Sequence, residues 1–209
     1  MNKIVLTLAL ATICSTGFAQ KGSFYAGGAV GFSSTSNSTD VSGTSHDGSL
    51  ETNWSFSPEV GTFLTNNIQL GIGLNFTGDK VDNRTTIKNI TTENHFGATL
   101  YVRNFFGKNA FKPFVGLNVS VLPGTGKLEN GVSTQTTKLM DFGANLNAGF
   151  SYALSPRVTV VGSVATLGFS SSTTEVDGSN IKDKSNHFGL DANTLGNRFN
   201  VGVYYTFIQ

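Results

Sequence analysis

Cysteine is nearly absent from this chain: its 209 residues include one, Cys14. Any segment downstream of it is therefore held together without disulfides. Charge is scarce at 13%, and 14 Lys and Arg against 13 Asp and Glu leave a balance of +1. No basic block stands out, which excludes the electrostatic footprint of a nucleic-acid binder. Proline is limited to 4 residues, and no apolar run approaches the ~18 residues of a transmembrane helix. Helical periodicity is missing as well: no stretch places apolar residues at i, i+3, i+4 and i+7 over three turns. What fills the chain is Gly, Ser, Thr and Asn, with 25 Gly, 17 Phe, 5 Tyr and 1 Trp. That many aromatics excludes a disordered chain, and the length fits one domain.

The first residues read as an export signal. Lys3 supplies a positive start, Ile4 to Ile13 an apolar core, and Gly17-Phe18-Ala19 the small residues before a cleavage point. The core is too short to span a bilayer as a helix. Cleavage is expected after Ala19, so residues 1–19 are a signal peptide and 20–209 a single mature domain. Cys14 is preceded by Ile13 rather than a small residue, which argues against lipidation.

Period-two alternation recurs through the mature chain and predicts eight strands, at about 23–33, 54–64, 68–77, 95–106, 111–121, 140–154, 158–169 and 198–207. The third is the clearest: Ile68, Leu70, Ile72, Leu74 and Phe76 on one face, Gln69, Gly71, Gly73, Asn75 and Thr77 on the other. Two irregularities are expected. The apolar face of the seventh strand switches sides, which a bulge near Gly162 reconciles. Pro58 interrupts the second strand and is taken to mark another bulge, whereas Pro113 belongs near a rim, where a lost ladder bond matters little. Short connections at 65–67, 107–110 and 155–157 alternate with long polar ones at 34–53, 78–94, 122–138 and 170–197, the layout of an up-and-down meander. The second face is Gly, Asn, Ser and Thr with isolated Glu59, Arg103, Asp141 and Arg198. Aromatics gather near strand ends (Phe24, Tyr25, Phe32, Trp54, Phe76, Phe105, Phe106, Phe111), where interfacial girdles sit.

Several segments carry a resemblance: Gln20–Tyr25; Ser57-Pro58-Glu59-Val60-Gly61 followed by Phe63-Leu64-Thr65-Asn66-Asn67; Tyr101-Val102-Arg103-Asn104-Phe105-Phe106; Lys112-Pro113-Phe114-Val115-Gly116; and the aromatic last strand ending in Tyr205-x-Phe207. With these the chain resembles the small eight-stranded outer-membrane β-barrel proteins of Bacteroidetes type. It departs from their pattern where Ile208-Gln209 follow the terminal aromatic. The resemblance implies an all-β, eight-stranded antiparallel up-and-down transmembrane β-barrel with a polar, filled lumen. It places the chain in the outer membrane as a monomer surrounded by lipopolysaccharide and phospholipid, inserted by the barrel-assembly machinery through its C-terminal strand. Four long loops would face outward, with no ligand assigned to them.

Glu59 and Arg103 both fall on inward faces, and a polar lumen network of Glu59, Arg103, Tyr101, Asp141, Arg198 and Tyr204 is expected, since buried charges must be paired. A structural or surface-interaction role follows. The alternatives are a narrow pore for small or apolar solutes, a lipid A-modifying enzyme, and a soluble ligand-binding barrel with its Phe, Val and Leu face turned inward. For the enzyme, His46, His95 and His187 are the candidate bases, and Ser185 and Asp183 lie near His187. In a stretch already dense in Ser and Asp that proximity carries little weight. Asn-His-Phe-Gly occurs twice, at 94–97 and 186–189. No metal or cofactor constellation is present: Asp79 and Asp82 lack the Gly and distal Glu of a calcium loop. Intact-mass measurement of the exported protein should show a chain beginning at Gln20; retention of residues 1–19 would contradict the signal-peptide reading.

Overall fold

The computed structural model describes residues 21–41, 44–84, 89–179, 181–192 and 200–207. They form one antiparallel sheet: β1 (Phe24–Val41), β2 (Thr44–Phe63), β3 (Ile68–Asp82), β4 (Ile90–Phe105), β5 (Phe111–Glu129), β6 (Thr134–Ala153), β7 (Val158–Val176), β8 (Lys182–Ala192) and β9 (Asn200–Phe207). Each strand pairs with the next from β1 through β7. Both β8 and β9 pair with β7, β8 against Ala165–Glu175 and β9 against Val158–Ser163. They therefore share the eighth position around the ring. Six pairs, from Phe24↔Phe207 to Ala29↔Gly202, join β1 to β9 and close the sheet on itself. This is the expected eight-position barrel, with its last strand in two pieces and 193–199 between them.

The alternation decides which face is outside. Phe24 is 55% exposed and Phe32 75%, while Tyr25 between them is 2% exposed. Outward-facing Phe, Leu, Val and Ile on every strand surround an interior of Tyr, Gly, Asn and Ser. This overturns the soluble alternative, which needs the apolar face inside. From Phe24 to Phe32 is nine residues, within the ~9–11 that a tilted strand needs to cross hydrocarbon. Phe24, Phe106, Phe111, Tyr152, Tyr205 and Phe207 mark the lower edge of the belt. Phe32, Trp54, Phe56, Phe76 and Phe96 mark its upper edge, where the Phe56, Phe76 and Phe96 rings adjoin across three strands.

The strands run well past that belt. The described residues of the segments expected as long loops (34–53, 78–94, 122–138 and much of 170–197) are largely strand: β1 runs to Val41, β2 starts at Thr44, β3 runs to Asp82, β4 starts at Ile90, β5 runs to Glu129, β6 starts at Thr134, β7 runs to Val176 and β8 starts at Lys182. Their sequences are polar on both faces because both faces meet water, so no alternation announces them. The described outer end is thus a set of paired ribbons rather than four long loops.

The bulge on β7 is present. Ala148 pairs with Ala165 and Gly149 with Ser163, so Val164 is the extra residue, two positions beyond Gly162. It turns Val161 into the lumen and Leu167 and Phe169 out to the belt. Pro58 is not at a bulge. The β1–β2 register runs unbroken through Gly28↔Pro58, and on the other side the β2–β3 pairing lapses at Ser57 and Pro58 and resumes in the same register. Proline lacks the N–H for that rung, and the ladder omits the rung without inserting a residue. The β1–β2 irregularity lies higher, between Ser36 and Ser38. Pro113 is the third residue of β5, near the rim as expected, and its carbonyl accepts from the Phe106 N–H at 2.8 Å.

Glycine makes the narrow interior possible at one point above all. A Cβ on Gly71 would run into the hydroxyl ends of Tyr25 and Tyr101, which meet over β3. Gly71→Val should therefore displace both rings and cost about 1–3 kcal/mol, as overpacking does. Electrophoresis without boiling, over a temperature series, should show the compact band lost at lower temperature than for the parent protein.

Candidate functional site: the lumen plug

Arg103 lies on the inward face of β4, beside Gln69 of β3 and Gly116 of β5. Glu59 faces inward from β2. One strand, β3, separates them, and its intervening inward residues Gly71 and Gly73 present no side chain. The two groups meet over this bare floor. Arg103 Nη2 donates to both carboxylate oxygens of Glu59, at 3.0 and 3.2 Å, and Nη1 donates to Gln69 Oε1 at 3.4 Å. From the far wall, the Tyr204 hydroxyl of β9 donates to Glu59 Oε2 at 2.9 Å. The guanidinium carbon sits 4.1 Å from the Tyr101 ring centre and 5.6 Å from that of Tyr204, within cation–π range. The hydroxyls of Tyr101 and Tyr25 are hydrogen-bonded at 2.8 Å, and Tyr25 also donates to the Leu70 carbonyl at 3.3 Å.

Arg103 is 7% exposed, deep enough that an unpaired charge would be costly. Below it, Phe63, Phe105, Phe114 and Val161 pack against the tyrosines. An eight-stranded barrel is just wide enough for side chains to fill, and here one ion pair, three tyrosines and three phenylalanines occupy its cross-section. Underneath, a small cavity of about 50 Å³ is lined by Gln69, Lys112, Ser151 and Thr206, among others.

Of the six residues expected in this network, the structure brings together Glu59, Arg103, Tyr101 and Tyr204. Asp141 is elsewhere. It faces the lumen in the half toward the hairpin tips, with its Oδ2 3.2 Å from His95 Nε2, an ion-pair distance without hydrogen-bond alignment. The register explains this: Asp141 is paired with Leu122 of β5, far along the barrel from Gly116, the partner of Arg103. Arg198 lies outside the described residues. Tyr25, Gln69 and Phe114 belong to the plug and were missed, although the same alternation that selects Arg103 turns each of them inward.

The histidines separate on inspection. His95 and His187 both face the upper lumen, while the Phe after each, Phe96 and Phe188, faces out to the belt. The imidazoles lie against glycine backbone, His95 over Gly124 and His187 over Gly189. The two copies of Asn-His-Phe-Gly thus pack differently: His95 covers a glycine of the neighbouring strand, whereas His187 covers the motif's own glycine. His187, Asp141, Ser120, Asn145 and Ser170 line a cavity of about 370 Å³ above the plug. Among the described residues, no Ser hydroxyl is hydrogen-bonded to either imidazole, and no cluster of three or more His, Cys, Asp or Glu is placed to hold a metal. His46 pairs through its backbone with Thr39, near a hairpin tip.

Comparison with known proteins agrees with this architecture. The outer membrane protein beta-barrel domain matches residues 5–207. It does not single out a Bacteroidetes type. No curated protein matches the chain. Among solved structures, the outer membrane protein OprG from Pseudomonas aeruginosa is similar at 16% identity and TM-score 0.50, covering 90% of this chain and 97% of its own. Neisserial surface protein A matches at 16% identity and TM-score 0.41, and the N-terminal β-barrel domain of Pseudomonas aeruginosa OprF at 13% and 0.42; each covers 90% of this chain and 98% of its own. At these identities the likeness to OprG speaks for the fold alone. A lipid-facing belt, a closed sheet and a family match over nearly the whole length lead to one conclusion: the chain belongs to the outer membrane protein beta-barrel domain family.

Proposed function

We propose that the protein is a plugged, non-enzymatic outer-membrane barrel whose role is structural or one of surface interaction, and that it does not conduct solutes. The observation that carries this reading is the Glu59–Arg103 ion pair with its ring of tyrosines across the lumen. A pore needs a continuous path, and here the Glu59 carboxylate, the Arg103 Nη atoms and the Tyr204 hydroxyl are joined to one another across the barrel at mid-height. What the belt holds in place is a crown of polar β-ribbons on the far side of the membrane, the part available to a surface partner. In this reading the signal peptide is removed on export, and the last strand delivers the monomer to the assembly machinery. Lipopolysaccharide and phospholipid then surround the belt. A lipid-modifying activity finds little support: among the described residues, His95 has a carboxylate at ion-pair distance, and no Ser hydroxyl is hydrogen-bonded to it.

Reconstituted in planar bilayers, the protein should give silent traces; reproducible unitary steps in the parent protein would reject the plugged reading in favour of the pore. Arg103→Ala leaves Glu59 buried without its cation and should cost about 3–5 kcal/mol, seen as earlier loss of the compact band on heating. Glu59→Gln keeps an acceptor but leaves the buried Arg103 guanidinium without its counter-charge, and should lower the same transition by a comparable amount.

A further inference from the structure

Charge is sorted along the barrel axis. Apart from Glu59, which is consumed by Arg103, and Asp191, whose rung runs through Thr166, Asn147 and Gly116 to Arg103, every Asp and Glu of the described residues lies in the half toward the hairpin tips. Among the described residues, the charged groups at the opposite end are all cations: Lys21, Lys108, Lys112 and Arg157. Lys112 faces the lumen mouth, where it lines the lower cavity. The other three are exposed and spread around the rim, one beside each short turn.

Each is set on a fixed support. The Lys21 N–H donates to Asn66 Oδ1 at 3.2 Å, tying it to the β2–β3 turn, which Thr65 closes by accepting from Asn67 and Ile68. Lys108 follows Gly107, whose φ of 96° makes the tight β4–β5 turn. Arg157 sits in the β6–β7 turn, where Ser155 Oγ accepts from the N–H groups of Arg157 and Val158 at 3.3 and 3.0 Å. Its Nη1 donates to the hydroxyl of Tyr205 at 3.0 Å. Tyr205 belongs to the lower aromatic girdle, and such rings sit at headgroup depth. The guanidinium is therefore held at the level of lipid phosphates.

The other rim differs. There Lys127, Lys138 and Lys182 already have carboxylate partners in Glu129, Asp177 and Glu175. Among the described residues, no carboxylate is paired with Lys21, Lys108 or Arg157 at the turn end.

We propose that the turn-side rim is a docking ring for phospholipids with a net negative headgroup, held by Lys21, Lys108 and Arg157. This rests on the reading that the barrel spans a membrane with its short turns at one surface. Near an anionic surface each Lys or Arg is worth roughly a fivefold gain in association. Anionic lipid should accordingly be enriched around this rim by about that factor, in a salt-sensitive manner.

The test is electron spin resonance on the refolded full chain in phosphatidylcholine vesicles, with a trace of spin-labelled phosphatidylglycerol or spin-labelled phosphatidylcholine. The immobilised fraction should favour phosphatidylglycerol severalfold. The preference should fall to near unity in Lys21→Gln/Lys108→Gln/Arg157→Gln and survive in Lys80→Gln/Lys138→Gln at the other rim. Three results would overturn the proposal: preference retained in the triple variant, equal loss in both variants, or no lipid preference with capture of purified cell-wall sacculi through the same three residues. If no immobilised lipid appears with either label, the membrane-spanning reading itself fails. A folded band of ordinary mobility in both variants confirms that the comparison concerns intact barrels.

Discussion

Inside hydrocarbon a backbone N–H has no water to turn to, and each one left unpaired costs several kcal/mol. That constraint dictates a sheet without edges across the apolar belt, and the β1–β9 rungs supply its last seam. Closure fixes the number of strands, and the number of strands fixes the bore. The bore then decides what the inner face is able to contain. The outer apolar surface needs no specific partner, because lipid accepts any Phe, Leu or Val presented to it.

The inner face has the harder task. It must be polar enough not to be confused with the lipid face, yet the space is too small for water to solvate a charge fully. The chain meets this by alternating bare glycine floors with large amphipathic side chains that reach over them. Arg103 spans β3 to Glu59 because Gly71 and Gly73 leave the way open, and Tyr101 and Tyr25 meet in the space above Gly71. A lumen built this way is stiff: the ion pair, the tyrosine hydroxyls and the rings fix one another in place. Above the plug the character changes. Asp141 and His187 line open space and are far less constrained, so the two halves of one lumen have different chemistry.

Much of this was legible in the residues. Within the belt, burial against lipid on one face and lumen on the other imposes strict alternation, and it correctly turned Glu59, Arg103, Tyr101 and Tyr204 inward. The bulge on β7 announced itself because Val158 and Val160 lie on one parity and Leu167 and Phe169 on the other. Beyond the belt the signal vanishes. Residues such as Ser33 to Asp40 or Thr134 to Thr137 form strands for the sake of their backbone bonds alone, and nothing in side-chain hydropathy records that. Asp141 was misplaced for a related reason: alternation tells which face a residue occupies but not its height along the axis, which only the register between strands determines. Pro58 was misjudged because a ladder is able to omit a rung without shifting its register.

The seam between Phe24 and Phe207 unites the two ends of the described chain. Its rungs have the largest sequence separation in the molecule, and the entropy of bringing such distant segments together has to be met before any of those bonds forms. Neighbouring hairpins, by contrast, assemble from local pairs. The barrel thus has a built-in order of events, in which a curved open sheet precedes the closed one, and the open sheet exposes β1 as a free edge for as long as β9 is absent. An unpaired edge is a template for other strands. The last eight-residue strand is therefore also the piece that ends the molecule's period of vulnerability to aggregation.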